Sequence, residues 1–385
     1  MMPPQDTSSS KTPQAVVAFA ARSGAVFTEL LPDFIRAVQA QEFEVLCCCP
    51  LDQFTADLEQ LKVTHIKVPL APRPELMRDA VAWLLMTSAC IEHRPLLMHS
   101  LDATLHLTAA LAARSAQVPI VVATTVDHQP QRVWPGLDGW LTSACHSYLQ
   151  HAARRTDAWI VHNAHQASLA KNAIGVPEED ILLLDGGLGV GLHRFSPGLD
   201  RSTEREWARA LLKLDPEYSH WVGYVGALDR RHSTPLMPIV DALAQQSPTT
   251  GVVLVPHGEL DPVILAEAQA RPDYGRRVVV LTDRSMDERP LVYRALDAMV
   301  APVSAPGMHR SLLEALAMRL PVVAYDHPSI RGWIADRQTG RVVAVGDRSA
   351  LVQALLEVLG ARRLRRNMGA MARKAAEHRF DSESN

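Results

Sequence analysis

The sequence is poor in aromatic residues, in excess charge of either sign and in long apolar runs, and each scarcity excludes a class of protein. Aromatic residues make up only 5% of the 385 positions, which argues against base-stacking surfaces and aromatic carbohydrate-binding platforms. A formal net charge of −3 gives no electrostatic basis for a dedicated nucleic-acid binder. No apolar run approaches the roughly 20 residues that a membrane-spanning helix needs.

The cysteines and the N-terminal composition bear on localisation. The chain has 5 cysteines, too few to indicate a disulfide framework, and Cys47, Cys48 and Cys49 are expected to be small buried residues of one strand. Residues 1–14 lack a basic region followed by an apolar run, so we expect a disordered lead-in rather than a secretion signal. We therefore predict a cytoplasmic protein. The arginine-rich helix at 361–374 suits either peripheral contact at the inner face of the membrane or an ordinary solvated surface.

Short apolar runs alternate with helical patterns in two successive halves of the chain. The first half begins at VVAFA and the second restarts at HWVGYVG, after a glycine-rich and then polar stretch. Strands alternating with helices predict an α/β fold with parallel sheets covered on both faces. Ligands of such sheets bind beyond the carboxyl ends of the strands, which favours a site between two domains. We expect a lead-in at 1–14, an N-terminal domain at 15–187, a hinge at 188–218 and a C-terminal domain at 219–385.

Four segments, at 189–197, 226–233, 297–324 and 340–355, carry motifs in a fixed order. The first reads G-V-G-L-H-R-F-S-P, the second G-A-L-D-R-R-H-S directly after a strand, and the third contains P-G-M-H-R-S-L-L-E-A-L-A followed by L-P-V-V-A. Together they resemble the motifs of the nucleotide-sugar glycosyltransferases of family 4. The resemblance covers nearly the whole chain. It implies the GT-B fold, in which two doubly wound Rossmann-like domains, one on the acceptor side and one for the nucleotide sugar, face an interdomain cleft.

The chemistry that the resemblance implies is transfer of a sugar from a nucleotide diphosphate. Breaking the bond to the sugar develops negative charge on phosphate oxygens, which arginine, lysine, helix N-termini or glycine-rich turns can stabilise. We therefore expect a retaining glycosyltransferase, of the hexosyltransferase type, acting on a glycan or lipid-linked acceptor in cell-surface polysaccharide or glycoconjugate synthesis. No cofactor and no metal are expected, because the family neutralises phosphate with side chains and helix dipoles. The expected partners are a nucleotide sugar and the acceptor, with no nucleic acid.

Several motif positions depart from the family pattern. Ala227 stands at the position of the family's arginine, His232 at the position of its lysine, and Pro306 at the position of the first of its two glutamates. The G-G-x-x-E motif falls on residues 328–332, where neither the two glycines nor the glutamate is present. The second glutamate is kept as Glu314, and the resemblance implies that its carboxylate holds the ribose hydroxyls of the donor.

Other basic residues lie close to the missing cations. Arg230 and Arg231 occupy the same turn, where they serve either as substitute phosphate ligands or as solvated turn residues. Basic groups near a helix N-terminus can hold a phosphate. The donor-binding residues that the resemblance implies are Gly226, Arg230, Arg231, His232, Gly307, Arg310, Leu313 and Glu314.

The catalytic candidates are Asp127, His128 and His309. Asp127 and His128 follow the strand PIVVATTV, where the family often has a histidine that faces the donor sugar, although the pair equally suits a loop surface. On the acceptor side we single out Gly24 and His99. Gly24 follows the first strand and either allows close approach of a ligand or only makes the turn. His99 ends a later strand.

Three further polar residues are not assigned to a functional site. Asp102 is expected to cap the N-terminus of the helix that follows it. His162 and His165 have a spacing suited to metal ligands, but the sequence offers no plausible third ligand, so we predict no metal site.

The lost motif residues also support a different class of function. A catalytically degenerate relative could act as a protein partner or a glycan-binding module. Titration of nucleotides and nucleotide sugars separates this hypothesis from the enzyme hypothesis.

Overall fold

The computed structural model describes residues 15–52, 54–71, 75–124, 140–184, 189–198, 201–228, 236–282, 288–302, 310–328 and 330–381. The described chain forms two compact units. The first holds the residues up to 160 together with 171–182, and the second holds 161–170 and everything from 183 onward. The predicted lead-in at 1–14 lies outside the described residues. The predicted domain boundaries stay a prediction.

The first sheet has seven strands in the order β3-β2-β1-β4-β5-β6-β7, and the neighbouring pairs of known register are parallel. Its strands are Val16–Ala20 (β1), Glu44–Cys49 (β2), Thr64–Lys67 (β3), Leu97–Ser100 (β4), Ile120–Thr124 (β5), Ala158–Val161 (β6) and Ile181–Leu183 (β7). The α-helices of this part of the chain are Pro32–Ala40 (α1), Thr55–Gln60 (α2), Leu76–His93 (α3), His106–Ser115 (α4), Trp140–Ala153 (α5) and Ala164–Leu169 (α6).

The second sheet has six strands in the order β10-β9-β8-β11-β12-β13 and is parallel throughout. Its strands are His220–Leu228 (β8), Thr250–Leu260 (β9), Val278–Val280 (β10), Ala298–Ala301 (β11), Val322–Tyr325 (β12) and Gly340–Val343 (β13). The accompanying helices are Arg201–Leu211 (α7), Leu236–Gln246 (α8), Pro262–Gln269 (α9), Arg289–Ala295 (α10), Arg310–Ala317 (α11), Arg348–Gly360 (α12) and Arg362–Arg379 (α13). The predicted α/β class, with two doubly wound parallel sheets, is confirmed.

The second sheet separates two hydrophobic cores. Along β9, Val252 and Leu254 pack in one core, whereas Val253 and Val255 pack in the other. Successive side chains of a strand point to opposite faces, so a strand covered on both sides needs an unbroken apolar run. This requirement explains the run GVVLV, which has no polar alternation.

The three consecutive cysteines of β2 are buried as expected. Cys47, Cys48 and Cys49 are each fully enclosed by the first unit. Burial raises the pKa of the Cys49 thiol to about 12. These thiols therefore stay protonated at neutral pH and behave as small apolar residues.

Asp297 ties helix α7 to the second sheet. It directly precedes β11 and accepts hydrogen bonds from Arg205 at 2.8 Å, from Arg209 at 2.6 Å and from the backbone N–H of Trp221 at 3.0 Å. Burial alone would raise the pKa of Asp297, but the two guanidinium charges and the N–H outweigh it, and the pKa is lowered. The guanidinium of Arg365 lies 3.6 Å away. We call Asp297, Arg205, Arg209 and Arg365 the Asp297 brace.

Within the described ranges, no helix is long and apolar enough to cross a membrane.

Candidate functional site

Glu314 lies at the centre of a buried polar cluster on α11. Its side chain is almost completely buried. The hydroxyl of Tyr293 donates to Oε2 at 2.8 Å, and Nε of Arg310 donates to Oε1 at 3.1 Å. A guanidinium nitrogen of Arg289 lies 3.8 Å from Oε1. We call these four residues the α11 cluster; its two arginines and one carboxylate give a net positive charge where water is excluded.

Helical spacing brings the members of the α11 cluster together. Arg289 and Tyr293 are four residues apart on α10, and Arg310 and Glu314 are four residues apart on α11, so each pair shares one helix face. The ring of Tyr293 packs edge-on against Phe195, with 6.0 Å between the ring centroids. Burial, together with the nearby carboxylate, raises the pKa of Tyr293 well above its usual range. Tyr293 therefore stays protonated, and its hydroxyl donates a hydrogen bond to Glu314.

The position of the α11 cluster suits an anionic ligand. Helix α11 follows β11, so its N-terminus, where Arg310 lies, faces the carboxyl edge of the second sheet. Ligands of open parallel sheets bind at this edge. The positive end of the helix dipole and the two arginines act in the same direction there. Sequence reasoning missed Arg289 and Tyr293, because the family motif includes Arg310 and Glu314 but neither of these two residues. The sequence signal for them was the four-residue spacing, which places an arginine and a tyrosine on one helix face.

Two other predicted donor-binding residues lie in the described structure. Gly226 lies near the end of β8, where the register against β9 shifts between Gly226 and Leu228. A Cβ at Gly226 would lie 3.1 Å from the hydroxyl oxygen of Tyr224, which is a tight contact. Leu313 is buried in a hydrophobic core of the second unit. The donor-binding roles of Gly226 and Leu313 stay predictions.

Seven of the predicted site residues lie outside the described part of the chain, and their predicted roles stay untested. These are Asp127, His128, Arg230, Arg231, His232, Gly307 and His309.

The turn after β1 in the first unit is held by Arg22. All five guanidinium N–H groups of this buried side chain donate hydrogen bonds: Nε to the hydroxyl of Thr104, and the terminal nitrogens to the Asp79 carboxylate and to the carbonyl oxygens of Ala71 and Thr104. The backbone N–H of Arg22 donates to Asp102 at 2.7 Å. The turn is therefore tied to α3 and to the segment after β4.

Asp102 corrects one expectation from the sequence. We expected its side chain to cap the following helix, but α4 begins at His106 and its cap position is Leu105, with no side-chain hydrogen bond. The Asp102 carboxylate instead accepts the N–H of Arg22. Burial raises the pKa of Asp102, against the lowering effect of that N–H and the Arg22 charge.

Gly24 is buried against the loop that follows β2. Its N–H donates to Oδ2 of Asp52 at 2.8 Å, and a Cβ at Gly24 would lie 2.8 Å from Oδ1 of the same carboxylate. The group that lies close to Gly24 is therefore the Asp52 carboxylate of the protein itself, and close approach of a ligand stays a prediction. Sequence reasoning missed Asp52, and the acceptor-side role of Gly24 stays a prediction.

His99 is buried at the carboxyl edge of the first sheet. Its Nε2 lies 2.6 Å from the hydroxyl of Thr124, the last residue of β5. On the next residue of β4, the hydroxyl of Ser100 lies 2.7 Å from Nδ1 of His106, whose ring packs against Trp159. His99 therefore lies beside the strand that leads to Asp127 and His128.

His162 lies directly after β6. It is 1% exposed, and neither ring nitrogen makes a hydrogen bond to a described residue. Burial lowers its pKa to about 4, so the ring is neutral at pH 7. Among the described residues, no group of three or more histidine, cysteine, aspartate or glutamate side chains could hold a metal ion.

Comparison with known proteins gives matches to family models and to curated relatives. The model described as "Glycosyltransferase Family 4" matches residues 31–188, and "Glycosyl transferases group 1" matches 219–361. The lipopolysaccharide core biosynthesis mannosyltransferase LpsB of Rhizobium meliloti is 29% identical over 52% of this chain and 55% of its own. A D-inositol 3-phosphate glycosyltransferase of Salinispora arenicola is 30% identical over 49% of this chain and 44% of its own. The chain thus spans about half the length of these curated relatives.

Solved structures show the fold. The Anabaena protein HepE in complex with UDP-glucose is 19% identical, with a TM-score of 0.76 and 96% of each chain covered. Sucrose-phosphate synthase from Thermosynechococcus elongatus is 17% identical, with a TM-score of 0.75 and 96% of each chain covered. The GT-B fold is therefore confirmed, and the chain belongs to the group 1, family 4 glycosyltransferases.

Proposed function

We propose that this protein is a retaining glycosyltransferase of the hexosyltransferase type. It moves a sugar from a nucleotide diphosphate sugar to a glycan or lipid-linked acceptor, in the synthesis of cell-surface polysaccharide or glycoconjugates. The α11 cluster carries the proposal, because it fixes Glu314 between arginines at the ligand-binding edge of the second sheet. The names of the Rhizobium relative and of the Anabaena complex with UDP-glucose support the substrate class. Cysteines that are buried and free among the described residues suit a cytoplasmic enzyme.

The proposed transfer breaks the bond between the anomeric carbon and a diphosphate oxygen. A hydroxyl oxygen of the acceptor forms the new bond to that carbon, and its proton leaves with the nucleoside diphosphate. The negative charge that develops on the diphosphate would be stabilised by the positive end of α11 and by Arg289 and Arg310. In the proposal, side chains and the helix dipole supply the compensating positive charge, without a cofactor or a metal.

Glu314 keeps the capacity to bind ribose. Each carboxylate oxygen has two lone pairs, and each accepts one hydrogen bond from the protein, Oε1 from Arg310 and Oε2 from Tyr293. In the proposal, a ribose hydroxyl occupies the second acceptor position of one of these oxygens, which requires the enclosed carboxylate to become accessible when the donor binds. The hydrogen bonds from the protein hold the carboxylate in one orientation, which favours a preorganised site.

One observation favours a second candidate function. Glu314 is fully buried and already bonded to protein groups, and Ala227 and Pro306 stand where the family has a cation and a carboxylate. A catalytically degenerate relative that serves as a protein partner or a glycan-binding module would tolerate all three features.

Calorimetric titration tests the proposal. UDP, GDP, ADP and their hexose derivatives are titrated into the full chain and into the variant Glu314→Gln. We expect one nucleotide to bind and its affinity to fall about tenfold in Glu314→Gln, because the ribose hydroxyls lose a charged acceptor. Glu267→Gln, an exposed residue of α9, is the matched control and should bind like the wild type.

Two outcomes would count against the proposal. If no nucleotide binds at millimolar concentration, the enzyme hypothesis fails and the degenerate relative is favoured. If a nucleotide binds equally well to Glu314→Gln and to the wild type, the ribose role of Glu314 is wrong.

A further inference from the structure

Helix α3 of the first unit exposes a broad apolar face. Its inner side packs in the core through Ala82, Met86, Ala89 and Cys90. Large apolar side chains on the outer side are 40–87% exposed, and they are Leu76, Met77, Val81, Leu84, Leu85 and Ile91. Within the described ranges, no other helix exposes more than two such side chains. Contiguous apolar surface of this kind marks an interaction site.

The exposed residues form one stripe along the helix. Positions 77, 81, 84, 88 and 91 recur at the spacing of a single helix face, and Ser88 is the only polar residue among them. The stripe continues into a groove of about 500 Å³, lined in part by Ile91, Leu96 and Pro119. The salt bridge from Asp79 to Arg22 and the packed inner side fix α3 in place. The face is therefore presented on a rigid helix.

The charges beside this stripe are self-complementary. Arg78 and Glu92 lie seven positions before and seven positions after Leu85, and the fourteen positions between them are close to four helical turns, so both lie on the same flank. If two copies of α3 pack antiparallel about a twofold axis near Leu85, Arg78 of each copy lies level with Glu92 of the second. Met77 then lies within two positions, about 3 Å along the helix axis, of the level of Ile91 in the second copy.

The same charges argue against a membrane as the occupant. Among the described residues, the exposed charged side chains beside the stripe are Glu75, Arg78, Glu92 and Arg94, and their charges cancel. A helix that binds anionic lipid carries an excess of lysine and arginine on its polar face. Arg78 already forms an exposed ion pair with Glu75 at 3.0 Å, which contributes little and can exchange partners.

We propose that the outer face of α3 is a homodimer interface, in which two copies of the helix pack antiparallel with Arg78 of each paired to Glu92 of the second. The eighteen residues of α3 span about 27 Å, so the helix pair covers less than the roughly 800 Å² per partner of a standard interface. We therefore expect a weak dimer that dissociates reversibly on dilution.

Sedimentation equilibrium of the full chain over roughly 1–200 μM tests the proposal. The wild type should be a reversible dimer. Leu84→Arg, which places a charge at the centre of the stripe, should raise the dissociation constant at least about tenfold. Met371→Arg on α13, where the wild-type side chain is 44% exposed, is the matched control and should leave the dimer unchanged.

A charge swap tests the antiparallel pairing. Arg78→Glu and Glu92→Arg should each raise the dissociation constant about threefold or more, because each places like charges opposite one another. The double variant Arg78→Glu/Glu92→Arg should restore the wild-type value. Circular dichroism of these surface variants checks that each one folds.

Three results would overturn the proposal. They are a wild type that stays monomeric over the whole range, a dimer that responds neither to Leu84→Arg nor to the charge swap, and a monomer that binds lipid vesicles through Leu84. The last result would assign the face to a membrane. None of these measurements depends on nucleotide binding, so they test the dimer separately from the proposed activity.

Discussion

The second unit buries two carboxylates among arginines, one at each end of its sheet. Asp297 precedes β11 and lies at the amino end, whereas Glu314 lies on the helix that follows the same strand. Both accept hydrogen bonds from arginine, and both are almost completely enclosed. Residue type and burial alone therefore do not tell the two clusters apart.

The two clusters differ in the hydrogen-bond partners of their arginines and in their position relative to the sheet. In the Asp297 brace, Arg209 also donates to the carbonyl oxygens of Ala295 and Ser219, and Asp297 accepts a backbone N–H, so the brace joins α7 to two strands. The α11 cluster lies at the edge where parallel sheets bind ligands. The comparison assigns the Asp297 brace to stability by its backbone contacts, whereas the proposed ligand role of Glu314 depends on the position of its helix at the carboxyl edge of the sheet.

The largest expected effect is the loss of stability in Asp297→Asn. The variant leaves the partly buried Arg205 and Arg209 without their counter-charge, which costs about 3 kcal/mol of unfolding free energy, the lower end of the range for a buried pair. Urea denaturation measures this loss, and nucleotide affinity per folded molecule should stay at the wild-type value. An Asp297→Asn variant that kept its stability but lost nucleotide binding would reverse the comparison.

The pH dependence of unfolding separates the contribution of the Asp297 brace to stability from that of His162. The folded pKa of His162 is about 4, below its ordinary value near 6.5, so the unfolded chain takes up the proton first. The stability due to neutral His162 is complete above pH 6.5 and falls as the pH drops toward 4, by ~2 kcal/mol at pH 5.

His162→Leu should remove this loss, as denaturation at pH 7 and pH 5 will show. The lowered pKa of Asp297 acts in a lower range, because its contribution is lost only as the pH falls below about 4. A wild-type loss between pH 7 and pH 5 that persists in His162→Leu would contradict the assignment.

The same substitution in each cluster sharpens the comparison further. Arg310→Met removes a positive charge beside Glu314 and should weaken nucleotide diphosphate binding about tenfold. Arg205→Met removes a charge from the Asp297 brace and should lower stability while leaving that affinity unchanged. Titration calorimetry measures the nucleotide affinity of both variants, and urea denaturation measures their stability. Equal effects on affinity would mean that the position of the α11 cluster has no special role.

The smallest expected effect concerns one hydroxyl. Tyr293→Phe keeps the packing against Phe195 and loses the hydrogen bond to Glu314, which costs about 1 kcal/mol of unfolding free energy. Tyr218→Phe is the matched control, since its ring packs against Trp221 and no described hydrogen bond holds its hydroxyl. A Tyr293→Phe variant as stable as the wild type would show that this hydrogen bond contributes no net stability.

The sequence predicted the fold because strand and helix patterns are local. It also predicted that Glu314 lies on a helix after a buried strand, which α11 and β11 confirm. The partners of Glu314 could not be predicted, because Arg289 and Tyr293 are on another helix and only tertiary packing brings them near. The cap assigned to Asp102 was wrong for the same reason. Local preference favoured a helix cap, but the N–H of Arg22, 80 positions away, is its partner.

The turn that Arg22 holds has a consequence for binding thermodynamics. Because every guanidinium N–H of Arg22 has an acceptor, this turn is already in one conformation before any ligand arrives. Ordering a loop on binding opposes association through lost conformational entropy. A ligand that contacted the turn after β1 would therefore bind without the entropy cost of ordering this turn. If the acceptor binds at this turn, as proposed, selectivity contributed by the turn would come from shape and hydrogen bonding rather than from reshaping of its backbone.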